Sequence, residues 1–145
     1  MGPKSPKVAV LVLALAFVAA ACGGGGGASG GGKESEEGGT ITIGSDTAND
    51  HGTKRVSGGS LEVEQDDFYF EPTIIDGKAG QTVKLELKNE GKNLHNFSIA
   101  SQGIDQDVNP DGSATVTVTF PKSGVLEFFC KFHRAQGMAG ELKVT

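Results

Sequence analysis

The sequence predicts an all-β sandwich of about six to eight short strands, confined to residues 60–145. Three observations lead there. Apolar residues alternate with polar ones at a period of two rather than 3.6. Turn signals separate the alternating runs. No stretch carries a convincing helical pattern. Short strands at this spacing are the pattern of a sandwich, and roughly 86 residues are enough to bury one modest core.

The chain does not begin with that domain. Lys4 and Lys7 precede an uninterrupted apolar run, residues 8–21. The run is too short to span a bilayer and ends in small residues, as an export signal does. Three alanines and then Cys22 resemble the lipobox of bacterial lipoproteins, although Ala19 stands where leucine is more usual. The resemblance implies cleavage before Cys22 and lipidation of its thiol, which would hold the protein to the outer face of the cytoplasmic membrane. Ordinary secretion and an uncleaved anchor are the alternatives. Residues 23–59 read as a Gly-rich linker with too little apolar area to offset chain entropy. Within it, TITIG at 40–44 has the pattern of a short strand, and its membership of the fold stays open. His51 reads as a solvated linker histidine.

The strands of the domain follow in order. LEVEQ occupies 61–65. In QTVKLELK, Val83, Leu85 and Leu87 share a face. LHNFSIA spans 94–100. In SATVTVTF, Val116, Val118 and Phe120 alternate with threonines. Leu126, Phe128 and Cys130 share a parity in GVLEFFC, and Leu142 and Val144 share one in GELKV. DGKAG, NEGKN, NPDGS and PKSG provide the turns. Removing Lys4 and Lys7 with the signal takes the formal net charge from −5 to −7. That balance argues against nucleic acid as a partner. The adjacent acids Asp66 and Asp67 read as a solvated strand end.

Parity also places chemistry. Cys130 shares its face with Phe128, and His95 with Phe97 and Ile99, so both side chains are expected to point inward near one end of the domain. Cys130 has no partner for a disulfide if Cys22 is acylated. Taken alone it reads as a small buried hydrophobe. His133 lies three residues on, however, and Met138 five beyond that. A thiolate, two imidazoles and a weak thioether are the donor set of a blue-copper centre. Zinc prefers more thiolate or another histidine. A Cys–His catalytic pair is conceivable, but no oxyanion loop accompanies it.

Residues 60–145 resemble the cupredoxins, the plastocyanin-like blue copper proteins. FFCKFHRAQGMAGELKV is similar to their ligand loop, Cys-x2-His-x4-Met-x-Gly. NLHNF is similar to their first-histidine segment, and DFYFEPTII followed by AGQTVKLELKN to their Phe-x-Pro stretch and next strand. The resemblance implies a Greek-key β-sandwich holding one type I copper ion. His95, Cys130 and His133 would be its equatorial ligands and Met138 its long axial one. Asn96 would brace the two ligand segments. Phe132 replaces the proline that plastocyanins carry before the second histidine, which changes the docking surface more than the donor set. The implied activity is one-electron transfer between redox partner proteins by a non-enzymatic monomer. Its rivals are a copper carrier or store using the same four residues, and a β-sandwich binding module that has lost its metal. Burial among Phe128, Phe129 and Phe132, with Lys131 and Arg134 nearby, suggests a fairly high reduction potential. Phe132, Ala135 and Ala139 would form an apolar rim.

Overall fold

The computed structural model describes residues 38–145. The expected signal, Cys22 and the linker as far as residue 37 lie outside the described residues. Twelve strands follow in order. The first three are β1 (Thr40–Ile43), β2 (Asp46–Asn49) and β3 (Thr53–Arg55). Then come β4 (Ser60–Asp66), β5 (Tyr69–Glu71), β6 (Ile74–Gly77) and β7 (Thr82–Asn89). The last five are β8 (His95–Ile99), β9 (Ile104–Val108), β10 (Ser113–Thr119), β11 (Val125–Phe129) and β12 (Ala139–Val144).

One sheet has the order β10-β7-β4-β5, the other β3-β6-β12-β11-β8-β9, and β1 pairs with β2 alone. The chain changes sheets between β3 and β4, β5 and β6, β6 and β7, β7 and β8, β9 and β10, and β10 and β11. Those crossings bring β4 beside β7 and β6 beside β12 in parallel, with Leu61 opposite Leu85 and Leu142 opposite Ile75. The predicted all-β sandwich is therefore present, with more strands than the six to eight expected.

The period-two pattern is cleanest in β7, where Val83, Leu85, Leu87 and Asn89 are buried and every intervening residue is exposed. Each such aliphatic burial contributes about 1.5–3 kcal/mol. Between the sheets Phe70, Phe97 and Phe128 form a cluster. The Phe70 ring meets the other two edge-on, with centroids 5.9 and 5.1 Å away, and Phe97 stacks on Phe128 at 4.9 Å. Cys130 and Met138 belong to the same core.

The expected linker over 23–59 is corrected in its second part. Ile43 and Ala48 of the β1–β2 hairpin are buried with Ala139, and Ile41 and Phe129 pack on them. β3 is exposed at all three residues and joins the fold through backbone pairing with β6, Thr53 opposite Ile74. Val56 reaches the main core. His51 is likewise not a linker residue: its ring stacks on Tyr69 with centroids 3.4 Å apart.

Tyr69 pins the turn between β4 and β5 by donating to Asp66 Oδ2 at 3.1 Å. Burial, that hydrogen bond and the charges of Asp66, Glu71 and Glu64 push its phenol up from 10.0 to about 12. The fold thus favours the protonated phenol. Its contribution to stability is whole below the unfolded-state value of about 10 and is lost as pH rises through about 12. Tyr69 is the sole tyrosine, so ultraviolet titration reads it alone; a midpoint near pH 12 is expected, and one near 10 in folded protein contradicts the contact. Leu85→Ala is expected to cost about 2–5 kcal/mol in urea unfolding, without changing which strands pair.

Candidate metal centre

β11 ends one residue before Cys130, and β12 begins one residue after Met138. The strands are in register up to that point, with Phe129 opposite Ala139. The Cys130 N–H then donates to the Met138 carbonyl at 3.0 Å, closing the neck of the intervening loop. Inside the loop the His133 N–H donates to the Cys130 carbonyl at 3.2 Å. The His133 carbonyl accepts from Gln136 at 3.0 Å and from Met138 at 3.2 Å. A single 3-10 turn, Arg134–Gln136, ends at Gly137 with φ +94°. A left-handed residue is needed there, and glycine adopts it without steric cost. Gly140 has a different task. A Cβ on it would run into the Phe128 ring and the Thr73 carbonyl.

His95 opens β8, opposite Val108 of β9. Asn96 then links the two segments. Its Oδ1 accepts from the Lys131 N–H at 3.3 Å and from the Ser98 hydroxyl at 2.6 Å. Its Nδ2 donates to Asp105 and Asp107, both at 2.7 Å. Asn89 holds the approach to β8 by donating to the carbonyls of Asn93 and Val108 at 2.8 Å.

The four residues expected to bind metal are gathered at this end of the sandwich. His95, Cys130 and Met138 are each 0% exposed, and His133 is half-buried. The rings of His95 and His133 stand 5.2 Å apart and 73° from parallel. Phe68 covers His133 at 4.7 Å. The Nδ1 atoms of both histidines are buried with no hydrogen-bond partner. Burial pushes the Cys130 thiol up, while the backbone N–H groups of Phe132, Asn96 and His133 oppose that by favouring the thiolate. Among the described residues no three His, Cys, Asp or Glu side chains close into a tight cage. The fit to a metal therefore rests on two orphaned imidazole nitrogens, a free buried thiol and a buried thioether. Such a soft and intermediate donor set suits copper better than zinc.

Several residues at the centre gave no sequence signal. Asp67 is not a solvated strand end; its Oδ1 lies 3.0 Å from His95 Nε2. Burial works against its charge, but hydrogen bonds from Asn93, Lys92 and His95 prevail and hold its carboxyl below the usual range. Burial is also the main reason the His95 imidazolium is disfavoured, and His133 adds to it against the pull of Asp67. From the N-terminal hairpin, Asn49 donates to the carbonyls of Gln136 and Phe68 at 2.9 and 3.0 Å. Its own N–H reaches the Gly137 carbonyl at 2.9 Å. Asp46 binds Arg134 Nε at 2.7 Å. The two cations expected to favour a reduced ion are thus both paired. Arg134 lies against Asp46 and Glu127, and Lys131 against Asp105 and Asp107 at 2.7 and 2.8 Å. The rim differs too: Phe132 is 44% exposed, whereas Ala139 is buried.

The sequence pattern of the Cupredoxin-like domain family matches residues 38–144. The chain belongs to this family. The matched span begins before β1, so the hairpin is part of the cupredoxin domain. The copper-resistant cuproprotein CopI of Pseudomonas aeruginosa is 31% identical, over 59% of this chain and 75% of that protein. Dithionite-reduced auracyanin of Roseiflexus castenholzii shares the fold with a TM-score of 0.52 and 21% identity, over 62% of this chain and 99% of that one. The metal-binding domain of the Cu(I)-exporting ATPase CopA of Streptococcus pneumoniae D39 also shares it. There the TM-score is 0.55 and identity 14%, over 66% of this chain and 97% of that one.

Two substitutions test the loop brace. Asn49→Ala is expected to cost about 0.5–1.5 kcal/mol, the net worth of a hydrogen bond whose acceptors, the Gln136 and Phe68 carbonyls, are exposed and half-buried, and to speed amide exchange at Gly137 and Met138. Gly137→Ala should cost at least as much, because its Cβ would sit 2.8 Å from Asn49 Nδ2 at a positive φ. Unchanged exchange in both variants would show that the hairpin does not brace the loop.

Proposed function

We propose that this cupredoxin binds one type I copper ion through His95, Cys130, His133 and Met138 and carries single electrons between partner proteins. The observation that supports this most is the pair of buried, unpartnered Nδ1 atoms beside a free buried thiol. When bound, copper would supply a one-electron couple between Cu(II) and Cu(I). The protein's part is to keep its donors still. Asn96 ties the His95 strand to the residue after Cys130, and Asn49 ties the far side of the loop to the hairpin. With both sides braced, little has to move when charge arrives or leaves. Phe68 and the phenylalanine core exclude water, and the half-buried edge of His133 is the exit for the electron. Phe132 and Leu94, 44% and 37% exposed, with Ala135 form the apolar surface on which a redox partner would dock.

In this reading the protein acts as a monomer outside the cytoplasmic membrane, held by lipid on Cys22, and catalyses no reaction by itself. Nucleic acid is not a partner. A second reading, delivery or storage of copper, draws on the relative at 31% identity whose name ties it to copper resistance. Both use the same four residues and differ in how fast the ion leaves.

Adding Cu(II) to the protein is expected to produce an intense blue thiolate-to-copper band, absent in Cys130→Ala. Transfer of Cu(I) to a chelator should be slow. Copper uptake without the band, or rapid release of Cu(I), would favour the carrier. No uptake by folded, reduced protein would end both readings.

A further inference from the structure

Asp67 lies 28 positions before His95 in the chain and reaches it across the end of the sandwich. We propose that Asp67 is a positioning residue: its carboxylate fixes His95 as the Nε2–H tautomer, presents Nδ1 to the metal, and biases the bound ion toward its oxidised state. This rests on the copper reading above.

The geometry carries it in three steps. A neutral imidazole has one N–H, and an ionised carboxylate can only accept. With Asp67 Oδ1 at 3.0 Å from Nε2, the proton belongs on Nε2, and the lone pair is left on Nδ1, the atom that is buried without a partner. Second, the carboxylate is itself held. The backbone N–H groups of Lys92 and Asn93 donate to it at 3.3 and 3.4 Å. Third, the pair is roofed by Gly91. A Cβ there would sit 2.5 Å from Asp67 Oδ1 and 2.8 Å from His95 Nε2, so only a glycine lets the chain lie over the hydrogen bond. The His95 side chain is fully buried, while the Asp67 side chain keeps 24% of its surface. Among the described residues Asp67 pairs with no lysine or arginine, and its close side-chain partner is the neutral His95 ring. Its negative charge is thus not spent on a lysine or arginine, unlike those of Asp105, Asp107 and Asp46. A carboxylate behind a ligating histidine raises the basicity of that ligand, and the gain is larger for the more highly charged ion. Asp67 therefore works against the phenylalanine core, which favours the less charged one.

The test uses full-length protein and three variants. Asp67→Asn keeps an acceptor oxygen and removes the charge. Asp67→Ala removes both. Gly91→Ala crowds the pair without altering either member. The readouts are the His95 ring nitrogen shifts in metal-free protein, Cu(II) and Cu(I) affinities by competition, and the reduction potential. Wild type should show Nε2–H at His95. Asp67→Asn should keep that tautomer and lose about tenfold in Cu(II) affinity with Cu(I) affinity nearly unchanged, which for one electron is a rise of about 59 mV. Asp67→Ala and Gly91→Ala should lose the single tautomer and about 10–100-fold in Cu(II) affinity. A purely structural role would weaken both oxidation states alike and leave the potential where it was. That result in natively folded Asp67→Asn, or an Nδ1–H tautomer in wild type, overturns the proposal. If wild type takes up no copper, the functional reading falls and the bias toward the oxidised ion falls with it. The tautomer in the metal-free protein then decides the positioning role alone: Nε2–H upholds it and Nδ1–H overturns it.

Discussion

Residues 130–138 have no sheet to hold them, and the hydrogen bond from the Cys130 N–H to the Met138 carbonyl gives them a fixed width. It extends the β11–β12 ladder by one rung after the strands have ended. With the neck closed, the thiol and the thioether enter the same core, and the chain between them must turn back within seven residues. Gly137 makes that reversal possible, and the His133 carbonyl stabilises it by accepting two N–H groups. Three side chains brace that loop from outside: Asn96 from β8, and Asn49 and Asp46 from the hairpin.

Electrostatics at the centre are largely self-contained. Lys131 and Arg134 looked in sequence like free positive charge beside a metal. In the structure each faces two carboxylates. Lys131 and Asn96 in turn hold Asp105 and Asp107 below the usual carboxylate range. Paired charges of this kind fix geometry more than they set a field, because exposed pairs contribute about 0–1 kcal/mol each. The unneutralised charge nearest a donor is the Asp67 carboxylate, and its sign is opposite to the one the sequence suggested.

The sandwich was legible because its main strands are buried on one face and wet on the other, so β7 and β10 announce themselves by alternation. The candidate site was legible by parity with apolar neighbours rather than by a wet face, since β8 is buried at every residue and Cys130 follows the last residue of β11. Cys130 and His95 fall on the inward parity of their strands, and the Cys, His and Met of the loop lie close together in the chain. What stayed hidden depends on long-range pairing. β3 is exposed at every residue and is held by backbone hydrogen bonds to β6, so it has no pattern to read. The β1–β2 hairpin buries few side chains inside a Gly-rich stretch. Asn49 meets Gln136 across 87 positions, and Asp67 meets His95 across 28. Neither spacing leaves a local trace, and two adjacent aspartates look alike until one is seen to point at a histidine.

In the copper reading proposed above, the fold holds two imidazoles, one thiolate and one thioether in an arrangement that serves both oxidation states. X-ray absorption at the copper edge, on the loaded protein before and after reduction, tests it most directly. One short copper–sulfur distance and two copper–nitrogen distances are expected, persisting with little change in both states. Loss of a nitrogen on reduction, or a coordination shell without the short sulfur, would contradict it.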